Sequence, residues 1–137
     1  MSLIYTEITL KNAVDKANAV FGMIKEPEIR QATVRALVDT GAWTLVINEA
    51  LREKLGLQIM KTDTGSLADG TKSQYSLAGP VEVIWESRST NCDAIVLPEA
   101  DEILLGAIPL EGMDLMVNPL KEKLVGVHGD QIIHSIK

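Results

Sequence analysis

Asp39 is the carboxylate whose surroundings set it apart. It stands directly after the apolar run Ala36-Leu37-Val38 and ahead of Thr40, Gly41 and Ala42. Taking a carboxylate out of water costs several kcal/mol unless hydrogen-bond donors surround it. A residue in that place is therefore either a turn Asp at the mouth of a strand or a group positioned for chemical work. Asp, Thr and Gly are also the residues that turns select, so the tripeptide alone leaves both readings open. A second Asp-Thr-Gly, Asp63-Thr64-Gly65, is followed by Ser66 in a different setting. Met60-Lys61-Thr62 before it is no buried strand, and Asp69-Gly70 follows closely, so Asp63 reads as a polar residue on a hairpin arm. His128 and His134, with Asp130 between them, invite a metal-site reading. On one strand they would stand about 20 Å apart, too far to share an ion, and they read as surface histidines. Cys92 opens an apolar run and reads as a core or edge thiol. No pairing of His with Ser or Cys supports nucleophilic catalysis. Trp43 and Trp85 read as core or interface aromatics, with Trp43 near enough to Asp39 in sequence to wall a cleft.

The elements that must position Asp39 read as many short strands and few helices. Leu3 to Leu10 alternates as a strand, and Ile29 to Val38 runs as another into Asp39. Trp43 to Ile47 is apolar and β-rich. Between the first two strands, Lys11 to Pro27 suits either a strand with a loop or a short helix. The clear helix is Asn48 to Leu55, with Asn48 as N-cap, Glu49 in the first turn, Arg52 and Lys54 toward the end, and Gly56 beyond it. Gln58 to Ala68 and Thr71 to Leu77 read as two arms of a hairpin turned by Asp69-Gly70. Gly79-Pro80 is expected to interrupt the return arm before a further strand at Val81 to Glu86, with a polar turn at Ser87 to Asn91. Cys92 to Leu97 and Ile103 to Leu105 follow as short apolar strands, and Gly106 to Gly112 as a single helical turn. Asp114 to Asn118, Lys123 to Val127 and Gln131 to Ile136 close the chain as strands. The expected class is all-β, a closed barrel with a flap hairpin and one or two short helices.

Composition bounds the answer. The chain has 137 residues, 46% hydrophobic and 23% charged, within the ordinary range for globular domains, and reads as a single domain over residues 1–137. One cysteine excludes an internal disulfide and any CxxC motif, which fits a reducing compartment. A net charge of -6 without a basic run argues against nucleic acid and anionic membrane as partners. No signal-peptide pattern and no apolar stretch of about 18 residues is present, so a cytoplasmic location is expected.

Taken together, three ordered segments resemble the retroviral-type, or retropepsin-like, aspartic proteases, and more narrowly their small bacterial and archaeal single-lobe branch. They are Ala36 to Ala42, with the apolar run and capped helix behind it; Leu67-Ala68-Asp69-Gly70-Thr71; and Ile103-Leu104-Leu105-Gly106. The resemblance implies a closed acid-protease barrel working as a homodimer on a peptide or protein substrate, without metal or cofactor. It implies that Asp39 pairs with the Asp39 of a second copy. Like charges that close cannot both ionise, and the pair shares a proton. Thr40 would orient the loop toward the partner and Gly41 would let backbone approach the carboxylates. Leu67, Ala68, Asp69, Gly70 and Thr71 would close over the substrate as a flap. Leu104, Leu105 and Gly106 would brace the catalytic loop from beneath. Pairing Asp39 with Asp63 inside one chain is rejected, because a two-lobed enzyme needs a whole lobe between its aspartates and only 24 residues separate these.

Three functions are compatible with these residues. The first is an endopeptidase with one catalytic Asp per subunit. The second keeps the fold as a catalytically inactive peptide-binding or assembly domain. The third is a small β-barrel ligand binder. The intact Asp39-Thr40-Gly41 favours the first, since nothing structural requires a carboxylate there.

Overall fold

The computed structural model describes residues 3–66 and 70–130. In chain order its elements are β1 (Tyr5–Asn12), α1 (Ala13–Val20), β2 (Gln31–Val38), β3 (Leu45–Ile47), α2 (Glu49–Leu55), β4 (Gln58–Ser66), β5 (Lys72–Trp85), β6 (Arg88–Val96), β7 (Ile103–Leu105), α3 (Ala107–Gly112), β8 (Leu115–Asn118) and β9 (Lys123–Gly126). Six strands close a ring in the order β1-β2-β7-β3-β6-β5, and β5 returns to pair with β1. Closure leaves those six without free edges, while β4 hangs outside on β5 and β8 with β9 forms a separate two-stranded sheet. Two of the ring's pairings are parallel, β2 with β7 and β3 with β6. They set the ends of β2 and β7 side by side, where Asp39 begins.

The alternating apolar residues face inward as the sequence pattern requires. Ile8, Leu10, Leu45, Ile47, Val81, Val83, Val96 and Leu105 are all at most 2% exposed and form one core with Leu55, Leu57 and Met113. The ambiguous stretch after β1 resolves as a helix. Asn12 caps α1 by accepting the Asp15 N–H, and its amide donates to the Leu55 and Gly56 carbonyls, so one buried side chain starts α1 and ties off α2. The capping signals at α2 are realised as read: Asn48 accepts the Leu51 N–H, and Gly56 takes the left-handed conformation at φ 63°. A side chain at Gly56 would run into the Arg30 guanidinium.

Three local expectations are corrected. Gly79-Pro80 does not end a strand; β5 runs through it, its register against β6 shifting between Ala78 and Val81. The turn expected at Ser87 to Asn91 is confined to Glu86 and Ser87, because Glu86 adopts φ 51° and Arg88 is already in β6. Arg88 is 6% exposed and its donors have work elsewhere: it bonds the carbonyls of Met113, Asp114 and Gly129, pinning the β8–β9 hairpin at both ends. The helix count also rises to three among the described residues, with a 3-10 turn at Glu26–Glu28. The strand expected at Gln131 to Ile136, and with it His134, lies outside the described residues.

Asp15 makes the strongest ion pair near α1. Both its oxygens take Arg30 N–H groups, at 2.8 and 3.0 Å, and the Arg30 backbone N–H adds a third bond at 3.0 Å. These hydrogen bonds hold the Asp15 carboxyl below the usual carboxylate range. A depressed folded-state pKa contributes stability that is fully present above the unfolded value of about 3.9 and is lost as pH falls through the folded value. Asp15→Asn should therefore lower the thermal midpoint at neutral pH and flatten its fall below about pH 4. Melting wild type and variant across that range checks both effects.

Candidate active site

Asp39 is held where β2 leaves the ring. The Val38 N–H donates to the Ile4 carbonyl at 2.8 Å, and the Asp39 N–H donates to the Leu105 carbonyl at 3.0 Å, extending the parallel β2–β7 register by one residue. The chain then turns sharply. The Ala42 N–H returns to the Asp39 carbonyl at 3.0 Å, and the Gly41 N–H donates to Asp39 Oδ1 at 2.9 Å. A Cβ at position 41 would sit 3.3 Å from that same oxygen, so glycine keeps the approach open. Among the described residues Asp39 Oδ2 takes no hydrogen bond. The carboxylate is half-buried, and Thr40 and Gly41 are exposed.

The far side of the loop is fastened to α3. The first two N–H groups of that helix, on Ala107 and Ile108, donate to the carbonyls of Ala42 at 2.9 Å and Trp43 at 3.1 Å. The N-cap is Gly106, which has no side chain to offer, so the loop itself satisfies those donors. A Cβ on Gly106 would fall on the Thr44 carbonyl oxygen and lie 2.6 Å from that of Ala42. Thr44, 2% exposed, donates its hydroxyl to the Asp93 carbonyl at 2.9 Å and leads into the fully buried β3. Leu104, Leu105 and Gly106 thus brace the loop from below, as the apolar-apolar-glycine segment implied. Trp43 departs from the core reading: it is 53% exposed beside the loop.

A cleft of about 340 Å³ opens at Asp39, walled by Leu3, Ile4, Leu37, Val38, Thr40 and Val117. Leu3, Ile4 and Val117 were not among the sequence's candidates, and only their apolar character hinted at them. Among the described residues that line the cleft, Asp39 alone carries an ionisable side chain. The expected flap hairpin is described only in its arms and at Gly70 and Thr71. β4 and β5 pair up to Ser66 with Lys72, and Gly70 takes φ 86° as a tight turn demands. Leu67, Ala68 and Asp69 lie outside the described residues. Beneath the flap's base, a pocket of about 260 Å³ is lined by Val46, Tyr75, Ile95 and Leu97 with Gly65 and Ser73. A broader groove of about 770 Å³ continues from Ser73 and Leu97 to Pro98 and Glu99. Gly70 and Thr71 are not among the residues that line the Asp39 cleft.

The remaining candidates take bland places. Asp63 is exposed on β4, opposite Tyr75 and 3.5 Å from Lys61 Nζ, with Oδ1 accepting the Thr64 N–H. His128 sits against the buried Asp114, Nδ1 to Oδ2 at 2.8 Å. Cys92 packs against the core, and burial pushes its thiol up to about 11. Trp85 is half-buried and donates its indole N–H to Thr6 Oγ1.

A closed barrel with Asp-Thr-Gly at the mouth of one strand and an apolar-apolar-glycine brace from a parallel neighbour defines the retropepsin-like aspartic protease fold. The chain belongs to the family described as "gag-polyprotein putative aspartyl protease", whose model matches residues 26–111, more than half of the chain. No curated protein matches it. Among solved structures it is similar to a retropepsin-like aspartic protease from Rickettsia conorii, at 24% identity over 66% of this chain and 78% of that one, with a TM-score of 0.46.

The Gly106 contact is directly testable. Gly106→Ala must push apart the Ala42 and Thr44 carbonyls, and a loss of about 2 kcal/mol is expected for overpacking of this kind. Urea unfolding should show the lower midpoint with an unchanged slope.

Proposed function

We propose that the chain is an aspartic endopeptidase, active as a homodimer to which each subunit contributes one Asp39. The observation that supports this most is the state of that carboxylate: Oδ1 is fixed by the Gly41 N–H, while Oδ2 is free of hydrogen bonds among the described residues. An Asp serving only the turn would need no more than the first bond. Placed across a two-fold axis, two such loops would set two carboxylates close together, and the pair would hold one proton between them. The ionised member would take a proton from the attacking water, and the protonated member would give one to the peptide carbonyl oxygen as the tetrahedral intermediate forms. Thr40, exposed beside Asp39, would orient the loops against each other. The apolar pocket under the flap base and the groove of mixed polarity beside it would receive side chains of an extended peptide, with residues 67–71 closing over it. We also place the enzyme in the cytoplasm, a setting suited to its single free thiol, Cys92.

The deciding experiment is cleavage of a mixed peptide library near pH 5 by wild type and Asp39→Asn. Loss of at least about a hundredfold in the variant, at unchanged thermal midpoint, is expected for removing an acid–base group. Equal cleavage by both proteins would remove Asp39 from the chemistry. Binding without cleavage by wild type would leave the peptide-binding domain as the reading.

A further inference from the structure

The second Asp-Thr-Gly, residues 63–65, takes no part in the chemistry of Asp39, yet its glycine has a use. Gly65 stands opposite Ser73 across the β4–β5 pair, and Tyr75, two residues beyond Ser73, lies diagonal to it. A Cβ at position 65 would come within 3.0 Å of Tyr75 Cε1 and 3.3 Å of Cδ1, so the ring rests against bare glycine backbone. Diagonal neighbours across an antiparallel pair are within reach of an aromatic ring, and glycine removes the side chain that would stop it short. The half-buried Tyr75 is thereby fixed as a wall of the pocket it shares with Val46, Ile95 and Leu97.

A row of side chains joins that pocket to the Asp39 cleft. Residues directly opposite one another in neighbouring strands share a face of the sheet. Leu37 stands opposite Leu104, Leu104 opposite Val46, Val46 opposite Ile95, and Ile95 opposite Leu77. Their chain neighbours Ala36, Leu45 and Leu105 fill the core, so the row lies on the other face. It begins at Leu37, a wall of the Asp39 cleft, and reaches Val46 and Ile95 in the Tyr75 pocket. Every residue of the row is apolar, and among the described residues no charged side chain lines the pocket.

We propose that Tyr75, seated on Gly65, sets the substrate preference of this site by closing a pocket for one large apolar side chain, of the Leu, Met or Phe class, about three residues from the peptide bond held at Asp39. The inference rests on the reading of the barrel as a peptide site and names the kind of peptide. The pocket, about 260 Å³, is smaller than the roughly 300–1,000 Å³ of a site for a whole small ligand, and suits a single side chain. Its uncharged lining gives a buried charge nothing to pair with, which disfavours Lys, Arg, Asp and Glu there. The position follows from strand spacing. Val46 is two strands from Leu37, about 10 Å, and an extended peptide rising about 3.3 Å per residue covers that in about three residues. The adjoining groove, which shares Ser73 and Leu97 with the pocket, leaves room for the peptide backbone.

The test separates preference from cleavage. Extended peptides carrying Leu, Phe, Ala, Lys or Glu at each position in turn are titrated into Asp39→Asn, and into the same protein with Tyr75→Ala added. At one position, Leu and Phe are expected to bind about tenfold or more tightly than Ala, Lys and Glu, and Tyr75→Ala to erase that difference. With Asp39 intact, Tyr75→Ala should raise KM for the Leu and Phe peptides about tenfold while kcat changes much less, the pattern of lost binding. Gly65→Ala, which displaces the ring, should shift the same preference, and should add nothing once Tyr75 is alanine. Tyr75→Phe keeps the ring and should keep the preference; a loss as large as alanine's would overturn the role given to the ring. Should Tyr75→Ala fail to fold, Gly65→Ala carries the test. A preference unmoved in the folded variants would overturn the inference, as would a protein that binds none of these peptides. Tyr75-dependent binding without Asp39-dependent cleavage keeps the pocket and removes the protease reading. Asp39-dependent cleavage whose preference ignores Tyr75 does the reverse.

Discussion

The structure around Asp39 depends on an exchange of backbone hydrogen bonds between a loop and a helix that each have groups the other needs. A helix begins with N–H donors that have no partner of their own, and a sharp loop ends with carbonyls that no strand will take. Here the donors of Ala107 and Ile108 meet the carbonyls of Ala42 and Trp43. The exchange works only at close range, which is why Gly106 must be bare: any side chain there meets the Thr44 and Ala42 oxygens. From this contact the rest follows in order. The loop is fixed from behind, Thr44 can be buried with its hydroxyl satisfied by Asp93, and Asp39 faces its cleft on a rigid support instead of a mobile turn.

The parallel pairings of the barrel serve the same end. The antiparallel neighbour β1 has its start, not its end, beside the end of β2. The parallel β7 instead ends beside β2, and each chain then leaves the sheet on the same side, β2 into the Asp39 loop and β7 into α3. The Asp39 N–H on the Leu105 carbonyl is the last rung of that ladder. Position 39 therefore has sheet geometry on one side and turn geometry on the other. Such a boundary lets a carboxylate be fixed in direction while staying only half-buried, and avoids the full desolvation a charge would meet in the core.

Most of this was legible in the sequence, for reasons that differ by element. The capping residues of α2, the hairpin turn at Gly70 and the apolar brace at Leu104-Leu105-Gly106 are local chemistry, and local chemistry is what residue spacing reports. What escaped is tertiary. Asn12 looked like a residue of an undecided stretch because its second partner, the end of α2, is 43 residues away. Arg88 looked like part of a polar turn because the carbonyls that justify its burial belong to Met113, Asp114 and Gly129. Gly79-Pro80 looked like a break because only the strands on both sides of β5 show that the register can shift there and continue. Leu3, Ile4 and Val117, the walls of the Asp39 cleft, carry no chemical signal at all; the fold alone makes them neighbours of a carboxylate.

The same distinction between local and tertiary bears on the proposed chemistry. In the proposed reading, an Asp39 with one oxygen fixed and the other free is half of an acid–base pair, and among the described residues no other ionisable side chain lines its cleft. If the second half comes from another copy, the competent species is the associated one, and its fraction follows protomer concentration by mass action. A dilute chain then keeps a stable barrel and an intact loop while lacking the second carboxylate. Folding and competence are separated in this arrangement: the closed ring, the α3 brace and the Arg88 anchor are complete within one subunit, and only the step that joins two clefts is left to assembly.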